Sequence, residues 1–489
     1  MTKYRVRFAP EKPSAKRLEF QGLSTLEKEP PPKRRYKSRH GCRECKQSRL
    51  KCDEMYPVCL RCSRRGLVCH AAAREQQWQI QLPGSALFLD GRGTSSRCGF
   101  GSFLQGNRDK QLLQYWLEKT SRIFVPSEDD NPFAYPIVEH LSISQSLLHA
   151  IKSISSAHQH FFHAAHIQDS LEQRIKAMGL LRTELSTESR PLHTLFLSVY
   201  LLGISSSFID QGLQDFGQEH LEAARTIINL ILVQEASRKH PLTRLMVGLF
   251  VYWDMSCAFL TNLKYSPTND FDGIIFSFIT DDMSDFHHPV NGPCTELFFV
   301  LCTLGKYIRY VVTSGDRDLD FELELEARLF TWTCPGPEPS PIWTLTAEAF
   351  RKHGMIMLYR YCCHDELSIT GEESGDWTWC QDNASDVDEL AHQYAIEIIT
   401  ALSSIPITSS YLAIQGIPLL TAGAELTLAD GHFQQESKSR FLALYSCSRI
   451  PANLVAADLL ERIWQLKMEG GSTTWLRLIV EDNVMLRIG

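Results

Sequence analysis

Six cysteines carry the clearest chemistry in this chain: Cys42, Cys45, Cys52, Cys59, Cys62 and Cys69. Their spacing, C-x2-C-x6-C-x6-C-x2-C-x6-C, is one C-x2-C-x6-C unit repeated at an offset of 17 residues. Zinc takes thiolates readily and wants four ligands in a tetrahedron. Three cysteines per half leave each metal one ligand short. Two zinc ions that share two bridging thiolates resolve this arithmetic, and the bridges should be equivalent residues of the two halves. Every coordination position is then filled by sulfur and none is open to water or substrate, so the metal is structural. A four-ligand finger from Cys42, Cys45, Cys59 and Cys62 also fits, but it leaves Cys52 and Cys69 idle at equivalent positions. A disulfide framework needs an oxidising compartment, and the N-terminal stretch MTKYRVRFAP has no apolar run of the kind that directs secretion.

Positive charge gathers around these cysteines. Residues 1–70 hold 19 Lys+Arg against 7 Asp+Glu, whereas the chain as a whole stands at −7. A basic head on an acidic body suits a nucleic-acid-binding module joined to a protein-interaction domain. Two zinc ions against six thiolates leave the cluster itself at about −2, so the surrounding lysines and arginines must outweigh it before phosphate is attracted. Each C-x2-C is expected to open a short helix. On the first, Arg43, Lys46 and Arg49 fall at i, i+3 and i+6 on one face, with Lys51 extending the edge. The second offers Arg61, Arg64 and Arg65 before Gly66 ends it. Directly upstream, Lys33, Arg34, Arg35, Lys37 and Arg39 read as a nuclear-import signal, a phosphate-contacting arm, or both.

Other reactive residue types read as structural. His158, His160, His163 and His166 share a helical stretch, but no carboxylate or cysteine partner stands at a supporting spacing, so solvated or capping histidines are expected. Cys362-Cys363-His364-Asp365 are sequence neighbours that point apart on a helix and read as packing plus a helix end. Asp254 lies in an apolar helix beside Trp253 and must find partners there, so it is read as an internal anchor. Trp253, Trp343, Trp464 and Trp475 read as core. Cysteines 98, 257, 294, 302, 334, 362, 363, 380 and 447 are scattered and read as reduced core thiols. No hydrolase, zinc-protease or dinucleotide motif occurs, and no enzyme is expected. The acidic run at 127–131 reads as a solvated loop.

The elements that position the cysteines divide the chain into four. Residues 1–40 form a basic, proline-bearing arm without periodicity, 41–70 the cysteine module, 71–108 a linker with frequent Gly and Ser, and 109–489 a helical body. A short helix over Ala71–Leu82 is conceivable within the linker. In the body, apolar residues recur at helical spacing from Leu112 to Phe124 and from Ile143 to His158, then over His220–Val233 and Leu242–Leu260. Thr295–Val311, Ala347–Cys362, Val387–Ser403, Gln434–Ser448 and Ala452–Lys467 follow the same pattern. Leu192–Ile204 is apolar almost all round, which suits a buried helix and is too short to span a bilayer. Ile274–Ile279 reads as an isolated strand. The fold class is thus mostly α: a small zinc-cluster module with two short helices, a flexible linker and a large all-α domain.

The cysteine segment resembles the DNA-binding domain of the fungal Zn2Cys6 binuclear-cluster transcription factors, and the match covers all six ligands. The body resembles the fungal-specific transcription factor domain, through LLQYWLEKTSRIF (112–124), LLHAIKSISSAHQHFF (147–162), HLEAARTII (220–228), VNGPCTELF (290–298) and IPLLTAGAE (417–425). The resemblance implies two structural zinc ions. Cys42 and Cys59 would bridge them, Cys45 and Cys52 would complete one, and Cys62 and Cys69 the other. Pro57 would reverse the chain between the halves. It further implies that the first helix enters the major groove of double-stranded DNA and reads a CGG triplet. Arg49 stands at the family's usual basic reading position, Ser48 where the family is often basic, and Arg43, Lys46, Lys51, Arg61 and Arg64 among the DNA contacts. The implied function is a nuclear regulator of RNA polymerase II transcription, a pathway-specific activator such as serves a biosynthetic gene cluster. Its body would meet co-regulators or the transcription machinery and answer to a small-molecule effector. The heptad coiled coil that dimerises many relatives is not visible after the cluster, so homodimerisation is left open, and no membrane partner is expected.

Overall fold

The structure, a computed structural model, describes residues 41–55, 58–70, 106–126, 131–160, 166–186, 191–210, 213–261, 270–336, 340–362 and 384–489. The basic arm, Pro57, the possible linker helix over 71–82, residues 128–130, His163 and 363–365 fall outside them. Two short helices, α1 (Arg43–Gln47) and α2 (Leu60–Arg64), make up the cysteine module. The body begins with α3 (Gly106–Glu118), α4 (Val138–Leu141), α5 (Gln145–His160), α6 (His166–Leu185) and α7 (Leu192–Ile209). It continues through α8 (Gln218–Val233), α9 (Glu235–Arg238), α10 (Leu242–Cys257), α11 (Asp270–Asp282), α12 (Thr295–Ser314) and α13 (Leu319–Thr331). The chain closes with α14 (Pro341–Cys362), α15 (Ala384–Ser403), α16 (Gly416–Glu425), α17 (Gly431–Ser448), α18 (Ala452–Met468) and α19 (Trp475–Glu481). No strand occurs among the described residues, where a single bridge pairs His288 with Gly292.

Helix α7 is the centre of the N-terminal half. It is buried along most of its length and packs against α5, α6, α8 and α10. At its crossing with α10 the fit depends on Gly203: a Cβ there would sit 2.3 Å from Trp253 Cη2, so only glycine admits the indole. The helix runs to Ile209, five residues past its expected end, and at 18 residues it is long and apolar enough to cross a membrane, as is α12. Yet 89% of α7 lies inside the fold, and protein neighbours account for its apolar surface. In the second half, α14 packs on α12, α15 and α16, while α16 also meets α17 and α18.

The segment read as a strand, Ile274–Ile279, is helical and belongs to α11. Ile275, Phe278 and Ile279 are buried at i, i+3 and i+4, while Ser277 and Thr280 face solvent. A six-residue apolar run is compatible with either period, and its flanks in α11 decide it. Helices α4, α6, α9, α13, α16 and α19 lie outside the segments that periodicity marks as helical. Trp253, Trp343 and Trp475 are core residues, and Trp464 is half-buried with its indole N–H donating to Gly423 O at 2.8 Å.

Asp254 is the expected anchor. It is 5% exposed and accepts from Lys306 Nζ at 2.7 Å and from the Arg225 guanidinium, which ties α10 to α12 and α8. Burial alone would raise its pKa, but the two cations hold it down at about 2. The histidine expectation needs correction at His158, which is buried rather than solvated. Its ring bonds Tyr115 Oη at 2.7 Å and the Cys447 carbonyl at 3.0 Å, and burial pushes its pKa down to about 4.

Candidate metal centre and nucleic-acid interface

Each half of the cysteine module is built by the same local rules. Cys42 caps α1 and Cys59 caps α2; each sulfur accepts the backbone N–H three residues on, from Cys45 and Cys62, at 3.4 Å. A cysteine thus fills the N-cap role usually taken by Ser or Asp. The next equivalence lies in the return of the chain. Cys42 N–H donates to Cys52 Sγ at 3.5 Å, and Cys59 N–H donates to Cys69 Sγ at 3.4 Å. The repeat seen in the spacing is therefore also a repeat of backbone-to-sulfur hydrogen bonds.

All six sulfurs are buried and converge. Those of Cys42, Cys45, Cys52 and Cys59 lie within 4.8 Å of one another, as do those of Cys42, Cys59, Cys62 and Cys69. Cys42 and Cys59 belong to both sets and stand 3.8 Å apart, as do the pairs Cys42–Cys62 and Cys45–Cys59. Sulfurs placed about 2.3 Å from a tetrahedral zinc ion are separated by about 3.8 Å, so the donor set fits this metal. Its electrostatics ask for one. Burial first, and neighbouring sulfurs second, push the thiols of Cys45 and Cys62 far up, while burial raises that of Cys69 to about 12 against the lowering effect of the Cys59 N–H. At Cys59 burial acts in the same direction, but the Cys62 N–H and the adjoining thiols together hold it below the usual value. Six thiolates at this spacing need divalent charge among them.

The basic residues divide differently from the sequence expectation. Arg43 and Lys46 lie on α1 and are exposed, as are Lys51, Arg64 and Arg65. Arg49 is not on the helix face. The helix stops at Gln47, and Arg49 follows at φ +54°. Its N–H donates to Lys46 O at 3.0 Å, and Leu50 N–H donates to Cys45 O at 2.9 Å, a paired closure that ends a helix with a left-handed residue. The second half closes identically: Gly66, at φ +58°, donates to Ser63 O at 3.1 Å and Leu67 N–H to Cys62 O at 3.0 Å. Arg49 and Gly66 are thus the same repeat position. An arginine occupies a place that favours glycine, and its side chain is exposed. Arg61 is half-buried, with Nη1 buried and unpaired.

Several residues shaping the module escaped the sequence reading. His70 closes it by bonding Glu44 through both its ring and its backbone N–H, the latter at 2.9 Å, while its carbonyl accepts from Arg43 N–H at 3.1 Å. Asp53 joins the halves, accepting the N–H groups of Met55 and Leu60, each at 3.0 Å. The module also has a seat on the body. Cys69 N–H donates to Ser446 Oγ at 3.0 Å, Arg449 Nη1 reaches the Cys69 carbonyl at 3.5 Å, and Gly66 lies against Gln435 and Leu442. The second half of the cluster thereby rests on α17, and the basic residues of α1 remain exposed.

Residues 111–486 match the family described as "Fungal specific transcription factor domain". The chain belongs to that family. In this fungal-specific transcription factor, residues 40–79 also match the "Fungal Zn(2)-Cys(6) binuclear cluster domain". A relative from Gibberella zeae, named "Zn(2)-C6 fungal-type transcription factor", is 50% identical over 40 residues, which is 8% of either chain. No solved structure matches. Both descriptions are of domains found in fungal transcription factors. The cluster domain and the converging cysteines support zinc and DNA as its partners.

Proposed function

We propose that the protein is a nuclear, sequence-specific DNA-binding regulator of RNA polymerase II transcription, in which residues 41–70 recognise DNA and 109–489 regulate. The observation that carries this reading is the pair of four-sulfur sets sharing Cys42 and Cys59, set beside exposed basic residues on α1. Two zinc ions would be held there. One would lie among Cys42, Cys45, Cys52 and Cys59, and the other among Cys42, Cys59, Cys62 and Cys69. The ions would supply charge compensation and cross-linking that a 30-residue module cannot draw from a hydrophobic core.

The chain's own residues do the recognition. Arg43 and Lys46 project from α1 toward the major groove, and Arg49 projects from the turn that ends it. A guanidinium can donate two hydrogen bonds to guanine O6 and N7, and Arg49 is assigned that role within a CGG-type triplet. Lys46, Lys51, Arg61 and Arg64 contact phosphates, which position the module without specifying sequence. Lys33, Arg34, Arg35, Lys37 and Arg39 direct import into the nucleus. The family resemblance favours activation of a single pathway's genes, checked by a reporter under the bound promoter.

Folding of the cluster should depend on metal. Chelation is expected to abolish DNA binding while the helical signal of the body in circular dichroism stays largely unchanged. DNA binding that survives complete zinc removal would refute the binuclear reading. A second reading, a body that answers to a small molecule, is favoured by one observation: an open cleft with a largely apolar lining lies in the body.

A further inference from the structure

Helix α6 carries two lengthwise faces. One holds Ser170, Gln173, Ala177, Leu181 and Glu184, all buried where the helix packs on α5 and α7. The other holds Leu171, Ile175, Met178, Arg182 and Leu185, whose alternating steps of four and three keep them on a single stripe. This second stripe looks outward. Leu171 is 43% exposed, Ile175 65% and Leu185 52%, with Met178 half-buried. Apolar residues scattered singly over a surface need no explanation, but a heptad seam along a 20-residue helix does.

Two further features fit the seam to a copy of itself. Glu172 and Arg182 stand toward its opposite ends, both exposed, and neither forms an ion pair among the described residues. Gly179 lies between them in mid-helix, where glycine is a poorer helix former than any residue but proline. A Cβ there would meet nothing within 4 Å, so the packing of this chain does not call for it. The positions are symmetric about Ala177: Glu172 and Arg182 lie equally far from it, and so do Ile175 and Gly179. When two α6 helices lie antiparallel across a two-fold axis at that level, Glu172 of each copy comes level with Arg182 of the other. Ile175 of each then meets the bare backbone at Gly179. Parallel pairing in register would set like charges against each other instead.

We propose that this face of α6 is a homodimer interface. Two copies of the chain pair their α6 helices antiparallel about a two-fold axis near Ala177, with Leu171, Ile175 and Met178 interdigitated and Glu172 facing Arg182 at both ends. The occupant is a second copy because the stripe is complementary to itself in charge and in shape, as a two-fold interface requires. A helix pair about 30 Å long buries less than the roughly 1,600 Å² of a standard interface, so a weak, reversible dimer in the micromolar range is expected.

The proposal does not depend on DNA recognition, and assembly is measured without DNA. The test is sedimentation velocity on the full-length, zinc-loaded chain from about 1 to 200 μM, a span that brackets a micromolar dissociation constant. A monomer–dimer equilibrium is expected. Ile175→Asp puts a charge into the seam and should weaken association roughly tenfold or more. Gly179→Leu should do the same by filling the space that Ile175 enters. Its unfolding temperature should stay level or rise, since leucine is the better helix former, and it serves if Ile175→Asp does not fold. Glu172→Arg and Arg182→Glu should each weaken self-association severalfold at low salt. An equimolar mixture of those two variants should associate as the parent does, because every charge then meets its opposite. Association unchanged in both seam variants, or a charge-variant mixture no stronger than its components, overturns the proposal. So does a chain that stays monomeric throughout, which would leave the stripe to a partner of another kind.

Discussion

Arg49→Gly should move two properties of the cluster in opposite directions. Arg49 holds φ +54° at the turn that closes α1, the position that Gly66 fills in the second half. A side chain in the left-handed region costs about 1–2 kcal/mol. Glycine escapes that cost but gives up about 0.5–1 kcal/mol in extra chain entropy on folding. The difference leaves a net gain of roughly 0.5–1 kcal/mol. Because metal binding and folding of such a module are one process, the gain should appear as about two- to fivefold better zinc retention against a competing chelator. The same change removes the guanidinium, and the loss of a bidentate contact to guanine costs about 1–3 kcal/mol. Affinity for the preferred site should therefore fall roughly fivefold to more than a hundredfold, with discrimination at one guanine relaxed. Arg49→Ala separates the two effects, since alanine keeps the backbone cost and loses the contact. It should match the glycine variant in DNA binding and show no gain in zinc retention. Identical zinc retention in the two variants, or full sequence preference in either, would refute the reasoning.

Lys46→Ala should weaken binding to all sequences alike and reduce the dependence of log K on log salt by about one, as loss of a single phosphate contact does; a change of sequence preference in a randomised-site assay would contradict this. Ser446→Ala leaves the buried Cys69 N–H without its acceptor, at about 1–3 kcal/mol, and should speed hydrogen exchange at that amide while exchange in the core of α7 stays as it was. Asp254→Asn leaves Arg225 and Lys306 facing a neutral partner and should cost the body about 3–5 kcal/mol at neutral pH in urea unfolding. The carboxyl's pKa is depressed from 3.8 to about 2 in the folded state, so its contribution is present above about pH 4 and fades as pH falls through 2. The variant's stability should be flatter than the parent's over that acid range, and parallel curves would exclude Asp254 as the anchor.

The cysteines were legible because ligand chemistry leaves a spacing that no packing requirement imitates. The helical body was legible for the same kind of reason: Leu112–Phe124 sets a buried face against a more open one at helical spacing, whereas Leu242–Leu260, buried almost throughout, shows itself by its length and apolar content. What failed did so where the period is short or uniform. Ile274–Ile279 has a single polar residue, Ser277, too few to set a strand or a helix period, and only its burial in α11 decides between the two. Arg49 looked like a helix residue because i+6 continues the face of Arg43 and Lys46, yet the closure at Gln47 turns it out of the helix. The partners of His158 and of Arg487 come from segments far along the chain, Cys447 and Ser207, and no local pattern announces them. The seat on α17 is the extreme case.

Cys69 and Ser446, joined by one hydrogen bond, are separated by 377 positions in sequence. During synthesis the cysteine module leaves the ribosome early and α17 late. At about 5–20 residues per second, the interval between the two is roughly 20–75 s. For that time a module able to take up metal is exposed on a nascent chain without the surface it will rest on. Chains halted before α17 would carry the cluster permanently unseated, and a pulse-labelled ribosome run-off would display the two populations in turn.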